Sequence, residues 1–455
     1  MGRRFESCRK RKFHESIYYM RKIANILSDF EKNILYISAI FLPSALPISL
    51  FLLLINIIIF LFNNIKSLKN DYLNYLIFLL LVLMPISCIF SYLNFDADVI
   101  NSYWDKSLVN RTDRINIWID LLNWFPLFLI YWSCQKYLQS SKDRIKFAKY
   151  IFIGTLPVIF SCILQYWFGI YGPFKFLFGS IVWFLKPIEY GQGVSGLFSN
   201  QNYAGSWLTA TLPFSIFLLI KNKNNFKKRL LSLILSISHS YCLILSSSRN
   251  ALIGLILILF LFLGLKMIWI SILGLFLIIT FAYVFYIFNP LLINDLIQNL
   301  ISNPLIMKLN YFDMSNFLLY PRIEILNISL NFISKKPLWG YGSGTFPIFY
   351  DMAGGEYNSL HTHNLALQVA YDYGLPIALI IIFIISFIFI RAFNKIFLQN
   401  KQSNLLDKCW ITSTAICLIY NISDITYYDG KISIFIWILF AGLTSINNDK
   451  NYSTS

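Results

Sequence analysis

Residues 375–390 read LPIALIIIFIISFIFI, and residues 48–62 read ISLFLLLINIIIFLF; neither stretch contains a charged side chain. A helix needs roughly 20 apolar residues to span the hydrocarbon core of a bilayer. Lipid offers backbone amides no hydrogen-bond partner, so continuous apolar runs favour helices over the alternating pattern of a membrane β-barrel. Only 13% of the 455 residues are charged, whereas soluble domains have roughly 25%. The sequence therefore predicts an all-α integral membrane protein.

Apolar segments recur along the whole chain, at 34–62, 72–92, 117–138, 148–168, 203–220, 230–247, 251–265, 267–288, 368–390, 409–424 and 432–446. The first segment is too long for one ordinary span and contains Pro43 and Pro47, which interrupt helices. If it crosses the membrane twice as a tight hairpin, the chain has about twelve spans. The basic clusters that begin at Arg3, Lys142 and Arg391 then share one side, as the positive-inside rule expects.

This topology divides the chain into five parts. They are a basic cytoplasmic segment at 1–33, spans 1–9 at 34–288, a large periplasmic loop at 289–367, spans 10–12 at 368–446, and a cytoplasmic tail at 447–455. The basic N-terminal segment lacks a convincing cleavage site, so no cleaved signal peptide is expected. The large loop is expected to be partly helical, because Pro321 opens a helical pattern that runs to Ile333. The aromatic, glycine-interrupted segment 173–185 is expected to be interfacial or re-entrant.

The formal charge of +16 does not indicate a nucleic-acid partner. Lys and Arg collect in short loops between spans, which the positive-inside rule explains. The seven cysteines include no CxxC pair, so neither a disulfide framework nor a metal site is expected from them.

Two arginines depart from the inward bias of the basic residues. Arg249 ends the run Ser246-Ser247-Ser248-Arg249 at the predicted outer end of a span, and Arg322 opens the predicted loop helix. A guanidinium fork matches phosphate oxygens in a bidentate manner. Each arginine therefore has two interpretations, an anion site or simple snorkelling at the membrane surface.

The run His361-Thr362-His363-Asn364 precedes the predicted span 368–390. One histidine acting as a general base and an interfacial hydrogen bond are both consistent with it. Two histidines two residues apart, without cysteine, make a poor metal-ligand set. His239 lies within a span and is expected to form a hydrogen bond inside the bundle. The cluster from Gly340 to Gly344 lacks the preceding strand of a dinucleotide fingerprint and is expected to form a turn.

Three sequence blocks resemble the O-antigen ligase and polymerase superfamily of bacterial glycan enzymes. The first runs from Ser195 to Asn202, and the second is Ser247-Ser248-Arg249. The third runs from Arg322 through the glycine cluster to His363-Asn364, and nine residues then separate Asn364 from Gly374. The order and spacing of the blocks carry the resemblance, which covers roughly residues 190–390.

The resemblance implies a metal-independent, inverting glycosyltransferase with no cofactor, acting at the periplasmic face of the bacterial inner membrane. The donor would be a glycan on polyprenyl diphosphate, and the acceptor a glycan or lipid A core, as in lipopolysaccharide or surface polysaccharide synthesis. The implied catalytic residues are Arg249 and Arg322 on the diphosphate and His363 as general base. The implied substrate-binding residues are Asn202, Gly340, Gly342, His361 and Asn364.

Four alternatives remain open at this stage. Within the enzyme class, the chain is also compatible with an O-antigen repeat-unit polymerase or a protein O-oligosaccharyltransferase. Outside it, the alternatives are a membrane transporter resembling bicarbonate carriers and a structural scaffold. Trp339, Tyr341 and Phe346 are expected either to stack on sugars or to pack the loop.

Overall fold

The computed structural model describes residues 28–64, 68, 71–94, 115–189, 192–258, 277, 280, 321–399 and 404–449, apart from 252 and 358. Several expectations lie outside the described residues. These are the basic segment up to residue 27, most of the predicted span 267–288, the first part of the large loop at 289–320, and the tail at 450–455.

Seven helices in the described part of the chain are long and apolar enough to cross a membrane. They are Tyr72–Leu93, Asn116–Tyr137, Ser141–Trp167, Gln201–Lys221, Phe226–Leu245, Leu375–Leu398 and Gly430–Asn448. Leu46–Phe62 and Arg249–Ile258 are shorter apolar helices. The prediction of a largely helical membrane protein is thereby confirmed, while the count of about twelve spans stays a prediction.

The long first apolar segment forms two helices, at 28–41 and Leu46–Asn64. They are joined by a turn at Leu42, Pro43 and Ser44, where the sequence predicted the break. The Ser49 hydroxyl donates to the Ser38 carbonyl at 2.9 Å, so the two helices pack against each other beside the turn.

The predicted span 368–390 is not one continuous helix. Helix Leu365–Tyr373 ends at Gly374, and helix Leu375–Phe393 begins directly after it. Gly374 has a φ of 91°, and a Cβ there would lie 2.1 Å from the Leu338 carbonyl oxygen, so only glycine fits. The amide of Leu375 donates to the Pro337 carbonyl at 2.7 Å, which fastens the large loop to this break.

One small sheet corrects the all-α expectation. Strands Phe174–Phe176 and Ile181–Trp183 pair in antiparallel register, with Phe174 opposite Trp183. The segment 173–185, expected to be interfacial or re-entrant, is thus a β-hairpin. Its Trp183 indole donates to the Ser44 carbonyl at 2.8 Å, which ties the hairpin to the turn between the first two helices.

The centre of the bundle is formed by helices Gln201–Lys221, Leu405–Ser423 and Gly430–Asn448. The last of these is buried along nearly its whole length. The Trp410 indole donates to the Leu439 carbonyl at 2.8 Å, and a Cβ at Gly442 would lie 2.3 Å from the Trp410 ring. Close backbone approach and interhelical hydrogen bonds are the usual means of helix association in lipid.

Several basic residues predicted to share one side lie at one end of the bundle, here called the basic end. Arg144 and Asp407 form an ion pair there at 3.3 Å, with both side chains at most 1% exposed. Arg144 also donates to the carbonyls of Leu138 and Gln139. Lys395 donates to the Asn447 carbonyl at 3.0 Å. The opposite end, here called the site end, contains the turn after helix Leu405–Ser423 and the start of helix Gln201–Lys221.

The large loop contains helices Pro321–Lys335 and Phe346–Met352. The first contains the helix predicted over 321–333 and extends it by two residues. Ile325, Phe332 and Ile333 on this helix are buried. Glu324 in its first turn accepts hydrogen bonds from the Tyr350 hydroxyl at 2.6 Å and the Glu356 amide at 2.9 Å. The loop described here is therefore a folded unit.

Candidate active site

The histidine turn, residues 361–364, enters helix Leu365–Tyr373 at the site end. Asn364 is the N-cap of this helix, because its side-chain oxygen accepts from the amides of Ala366 at 3.0 Å and Leu367 at 3.2 Å. The other end of the Asn364 amide donates to the Ile422 carbonyl at 3.0 Å. Asn364 thus joins the turn to the end of helix Leu405–Ser423.

His363 adopts a φ of 54°, a left-handed conformation that is uncommon for residues other than glycine. Such strain persists only where neighbouring contacts hold it, and it concentrates at functional sites. The Thr362 hydroxyl donates to the Asn364 carbonyl at 2.8 Å across the strained residue. The histidine turn is therefore held in one shape.

Asp424, which follows helix Leu405–Ser423, lies against the histidine turn. Its Oδ1 is 3.1 Å from His363 Nδ1, and its Oδ2 accepts from the Asn202 side-chain amide at 2.9 Å. The Ile425 amide also donates to Oδ1 at 2.9 Å. Burial raises the pKa of the Asp424 carboxyl, but the hydrogen bonds with His363 and the Ile425 amide outweigh burial, so the net pKa is lowered.

The Asp424 carboxylate fixes the protonation pattern of His363. An ionised carboxylate only accepts hydrogen bonds, so His363 Nδ1 must carry the proton that lies between them. In neutral His363, Nε2 then has a free lone pair. About 31% of the His363 side chain is exposed, which leaves the ring accessible from outside the protein. A general base needs this combination of a held ring and an accessible lone pair.

His361 has the opposite pattern. Its Nδ1 accepts from the His363 backbone amide at 3.3 Å, so Nε2 carries the proton in the neutral ring. Burial, followed by the neighbouring His363 and Arg322, lowers the pKa of His361 to about 4, against the attraction of Asp424. His361 is therefore neutral near pH 7. Its Nε2–H group can donate a hydrogen bond beside the Nε2 lone pair of His363, which can accept one. The two ring centroids are 4.4 Å apart.

Arg322 lies on the same folded loop as the histidine turn, and its positive charge contributes to lowering the pKa of His361. Arg322 lies in the first turn of helix Pro321–Lys335, which Glu324 holds to Glu356, five residues before His361. The first and last parts of the third sequence block are thus brought together.

Asn202 is the second residue of helix Gln201–Lys221. Asn200 caps this helix by accepting from the Tyr203 amide at 2.9 Å. Asn202 thereby presents its amide to Asp424. Asn202 was predicted as a site residue from the first sequence block. The structure joins it to His363 of the third block through the Asp424 carboxylate, which was not predicted.

The second block reaches the same region through Ser248. A Cβ at Gly205, on the Asn202 face of its helix, would lie 2.7 Å from Ser248 Cβ. The Ser248 hydroxyl is 3.4 Å from that of Tyr420, which lies one helical turn, about 6 Å, before Asp424. Arg249 follows Ser248 directly and begins helix Arg249–Ile258. All three blocks therefore meet around the end of helix Leu405–Ser423.

Gly340 and Gly342 lie away from the histidine turn. The amides of Tyr341 and Gly342 donate to the carbonyls of Tyr371 at 2.7 Å and Asp372 at 3.0 Å. These carbonyls belong to the far end of helix Leu365–Tyr373, roughly 12 Å along its axis from the histidine turn. A Cβ at Gly340 would lie 2.4 Å from the Tyr371 carbonyl oxygen, so this glycine permits close packing. A substrate-binding role for both glycines stays a prediction.

The aromatic residues of the large loop pack mainly against protein. Tyr341 stacks on Tyr371 with centroids 5.1 Å apart and planes 7° apart. Phe346 is 0% exposed, and Trp339 stacks on Phe90 at 4.7 Å. For Phe346 the structure therefore favours the packing interpretation over sugar stacking.

His361, His363 and Asp424 also have the spacing of a metal-ligand set, because one ligand atom from each lies within 4.8 Å of the others. Both Nδ1 atoms already take part in hydrogen bonds within the turn, to the His363 amide and to Asp424. These bonds leave the two Nε2 atoms as the remaining ring nitrogens. The protein contacts therefore account for the cluster as a hydrogen-bonded site.

Sequence analysis missed Asp424, and one signal was available. It is an isolated carboxylate at the end of the apolar segment 409–424, and ionisable residues at membrane-spanning segments are functional candidates by default. His239, by contrast, behaves as predicted, with Nε2 2.9 Å from the Leu208 carbonyl on the neighbouring helix.

Residues 231–383 match the model of the Wzy_C family, described as O-antigen ligase. This match confirms the sequence-based prediction of a resemblance to the O-antigen ligase superfamily. The match includes Arg249, Arg322 and His363 and covers about a third of the chain, whereas Asn202 and Asp424 lie outside it. A comparison with curated proteins finds no match.

Proposed function

We propose that the protein is a glycosyltransferase that moves a glycan from polyprenyl diphosphate to an acceptor hydroxyl at the outer face of the bacterial inner membrane. The observation that carries the proposal is the contact of His363 with Asp424, which is itself bonded to Asn202. The resemblance to the O-antigen ligase superfamily supports a glycan-transferring enzyme. The same superfamily supports lipid-linked glycans as the substrate class.

In the proposed reaction the acceptor hydroxyl attacks the anomeric carbon of the donor sugar. The hydroxyl proton passes to Nε2 of His363, while Asp424 stabilises the imidazolium that forms. The bond between the anomeric carbon and the diphosphate oxygen breaks, and polyprenyl diphosphate leaves with the electron pair. Attack opposite the leaving group inverts the anomeric centre.

The departing diphosphate requires positive charge. Arg322 acts electrostatically on His361, and Arg249 follows Ser248, which lies against Gly205 and Tyr420. Two guanidinium groups held before the reaction stabilise developing negative charge without a metal ion. His361 provides a neutral Nε2 donor for an oxygen of the substrate.

Replacing Arg322 by alanine is expected to lower transfer by about 10²- to 10³-fold, the usual loss when one preorganised charge or donor is removed. Arg249→Lys is also expected to be poor, because an ammonium lacks the bidentate fork. The measurement is complementation of a deletion strain, with envelope glycans resolved on gels and accumulated polyprenyl-diphosphate-linked glycan measured by mass spectrometry. Lys335→Ala, at the far end of the Arg322 helix, is the matched control and should complement fully.

The gel of the deletion strain also tests the reaction itself. Loss of all long glycans from the lipid A core would support ligation, and a core bearing a single repeat unit would identify a polymerase instead. Unchanged envelope glycans, without accumulation of the lipid-linked donor, would contradict the proposed function.

Addition of EDTA is expected to leave the transfer rate unchanged within about twofold, because the arginines carry the electrostatic role. The assay uses purified protein and lipid-linked glycan extracted from the deletion strain. Strong inhibition that is reversed by adding back a divalent cation would show that His361, His363 and Asp424 hold a metal ion in the working enzyme.

A further inference from the structure

Gln368 lies one helical turn beyond the histidine turn, on helix Leu365–Tyr373, and is 4% exposed. Its side-chain oxygen accepts from the Thr362 backbone amide at 2.9 Å. Its side-chain nitrogen donates to both carboxylate oxygens of Asp372, at 3.1 and 3.0 Å. Gln368 thus connects the backbone of the turn to a buried carboxylate on its own helix.

Thr362 is the residue between His361 and His363. It is 4% exposed, so without Gln368 its backbone amide would be a buried donor that has lost its partner. The next residue, His363, has a left-handed backbone that surrounding contacts must hold. The Gln368 oxygen therefore anchors the turn at its midpoint, with a histidine on either side.

The two partners of the Gln368 amide determine which way it points. The Thr362 backbone amide can only donate, so it selects the oxygen end of the side chain and leaves the NH₂ end to the oxygens of Asp372. The Tyr428 hydroxyl also donates to Asp372, at 3.4 Å. Asp120, whose Oδ2 accepts from Tyr373 at 2.6 Å, is a second carboxylate whose negative charge acts on Asp372.

We propose that Gln368 is a positioning residue that sets the geometry of the histidine turn, and that Asp372 holds the NH₂ end of the Gln368 amide. Gln368 acts through Thr362 and need not touch the substrate. When the amide is removed, the turn can relax and the His363 ring moves relative to Asp424. The catalytic consequence rests on the proposed function, whereas the structural consequence does not.

The structural consequence is tested by NMR on protein carrying ¹⁵N-labelled histidine in lipid nanodiscs. The chain has four histidines, so the proton on His363 Nδ1 is assigned by its loss in His363→Gln. In Gln368→Leu this resonance should shift or disappear through exchange with water, whereas the control Gln135→Leu, in helix Phe125–Tyr137, should leave it unchanged. An unchanged resonance in Gln368→Leu would overturn the proposal, whether or not the protein transfers glycans.

The catalytic consequence is measured with lipid-linked glycan extracted from the deletion strain. Gln368→Leu should lower kcat about 10- to 100-fold, as loss of a supporting hydrogen bond does at other sites. KM for the donor should change less than about twofold, because binding contacts remain. Wild-type kcat in Gln368→Leu would refute the catalytic part.

Gln368→Glu provides the rescue that separates positioning from packing. When one proton is shared between the introduced carboxyl group and Asp372, the two groups form a hydrogen bond and the introduced group still accepts from Thr362, whereas two ionised carboxylates repel each other. Relative to wild type, the kcat of this variant should therefore be highest near about pH 6 and fall toward about pH 9. The proposal requires the kcat of Gln368→Glu to exceed the kcat of Gln368→Leu by about tenfold near about pH 6. Equal kcat values for the two variants at every pH would contradict it.

Discussion

Replacing His363 by alanine is expected to lower glycan transfer by about 10²- to 10⁴-fold, the contribution typical of a positioned general base. The acceptor hydroxyl then has no group to take its proton as the new glycosidic bond forms. Protein level and membrane insertion should stay normal, because 31% of this side chain is exposed. The measurement is the transfer rate of purified protein with lipid-linked glycan extracted from the deletion strain.

His239→Gln is the matched control for this substitution. His239 is completely buried and its Nε2 donates to the Leu208 carbonyl, a contact that a glutamine amide nitrogen can replace. Its variant should transfer glycan at close to the wild-type rate. If His363→Ala were equally active, the general-base role would be wrong.

Replacing Asp424 by asparagine is expected to lower the rate of glycan transfer about as much as replacing His363 does, by roughly 10²- to 10⁴-fold. The introduced amide is neutral, so it no longer stabilises the imidazolium that forms when His363 takes the proton of the acceptor hydroxyl. Size and shape are preserved, so the loss should appear in kcat without a loss of folded protein. The same purified assay provides the measurement.

Asp429→Asn is the control for removing a carboxylate nearby. Asp429 caps helix Gly430–Asn448 by accepting from the Lys431 amide at 3.0 Å. Asparagine caps a helix about as well as aspartate, so this variant should remain active. Equal and large losses in both aspartate variants would point to general destabilisation rather than to lost stabilisation of the His363 imidazolium.

The sequence predicted much of the helical framework, because apolar runs report directly on membrane spans. The segment predicted at 72–92 is helix Tyr72–Leu93, and the hairpin inferred from Pro43 has its turn at residues 42–44. The break at Gly374 was not predicted because hydropathy is continuous across it. Gly374 and Pro376 mark the break locally, and the Leu338 carbonyl, from a distant part of the chain, lies where a Cβ at position 374 would be.

Site residues could be predicted from the sequence only where they belong to a short block with a recognisable residue type or spacing. Arg249, Arg322, His363 and Asn202 came from sequence blocks, and the structure gathers their surroundings at the site end. Asp424 lies 61 residues after His363, and no local pattern records that the two will meet. Gln368 resembles any polar residue in a helix until its two hydrogen-bond partners are known.

The contact between Gly205 and Ser248 has a consequence for how such sequences diverge. Positions 205 and 248 cannot both have a Cβ atom in this arrangement, because one added at position 205 would lie 2.7 Å from the Cβ of Ser248. Evolutionary drift at the two positions is therefore coupled. A homologue that gains a side chain at the first position must lose one at the second, or else shift the arginine that follows it.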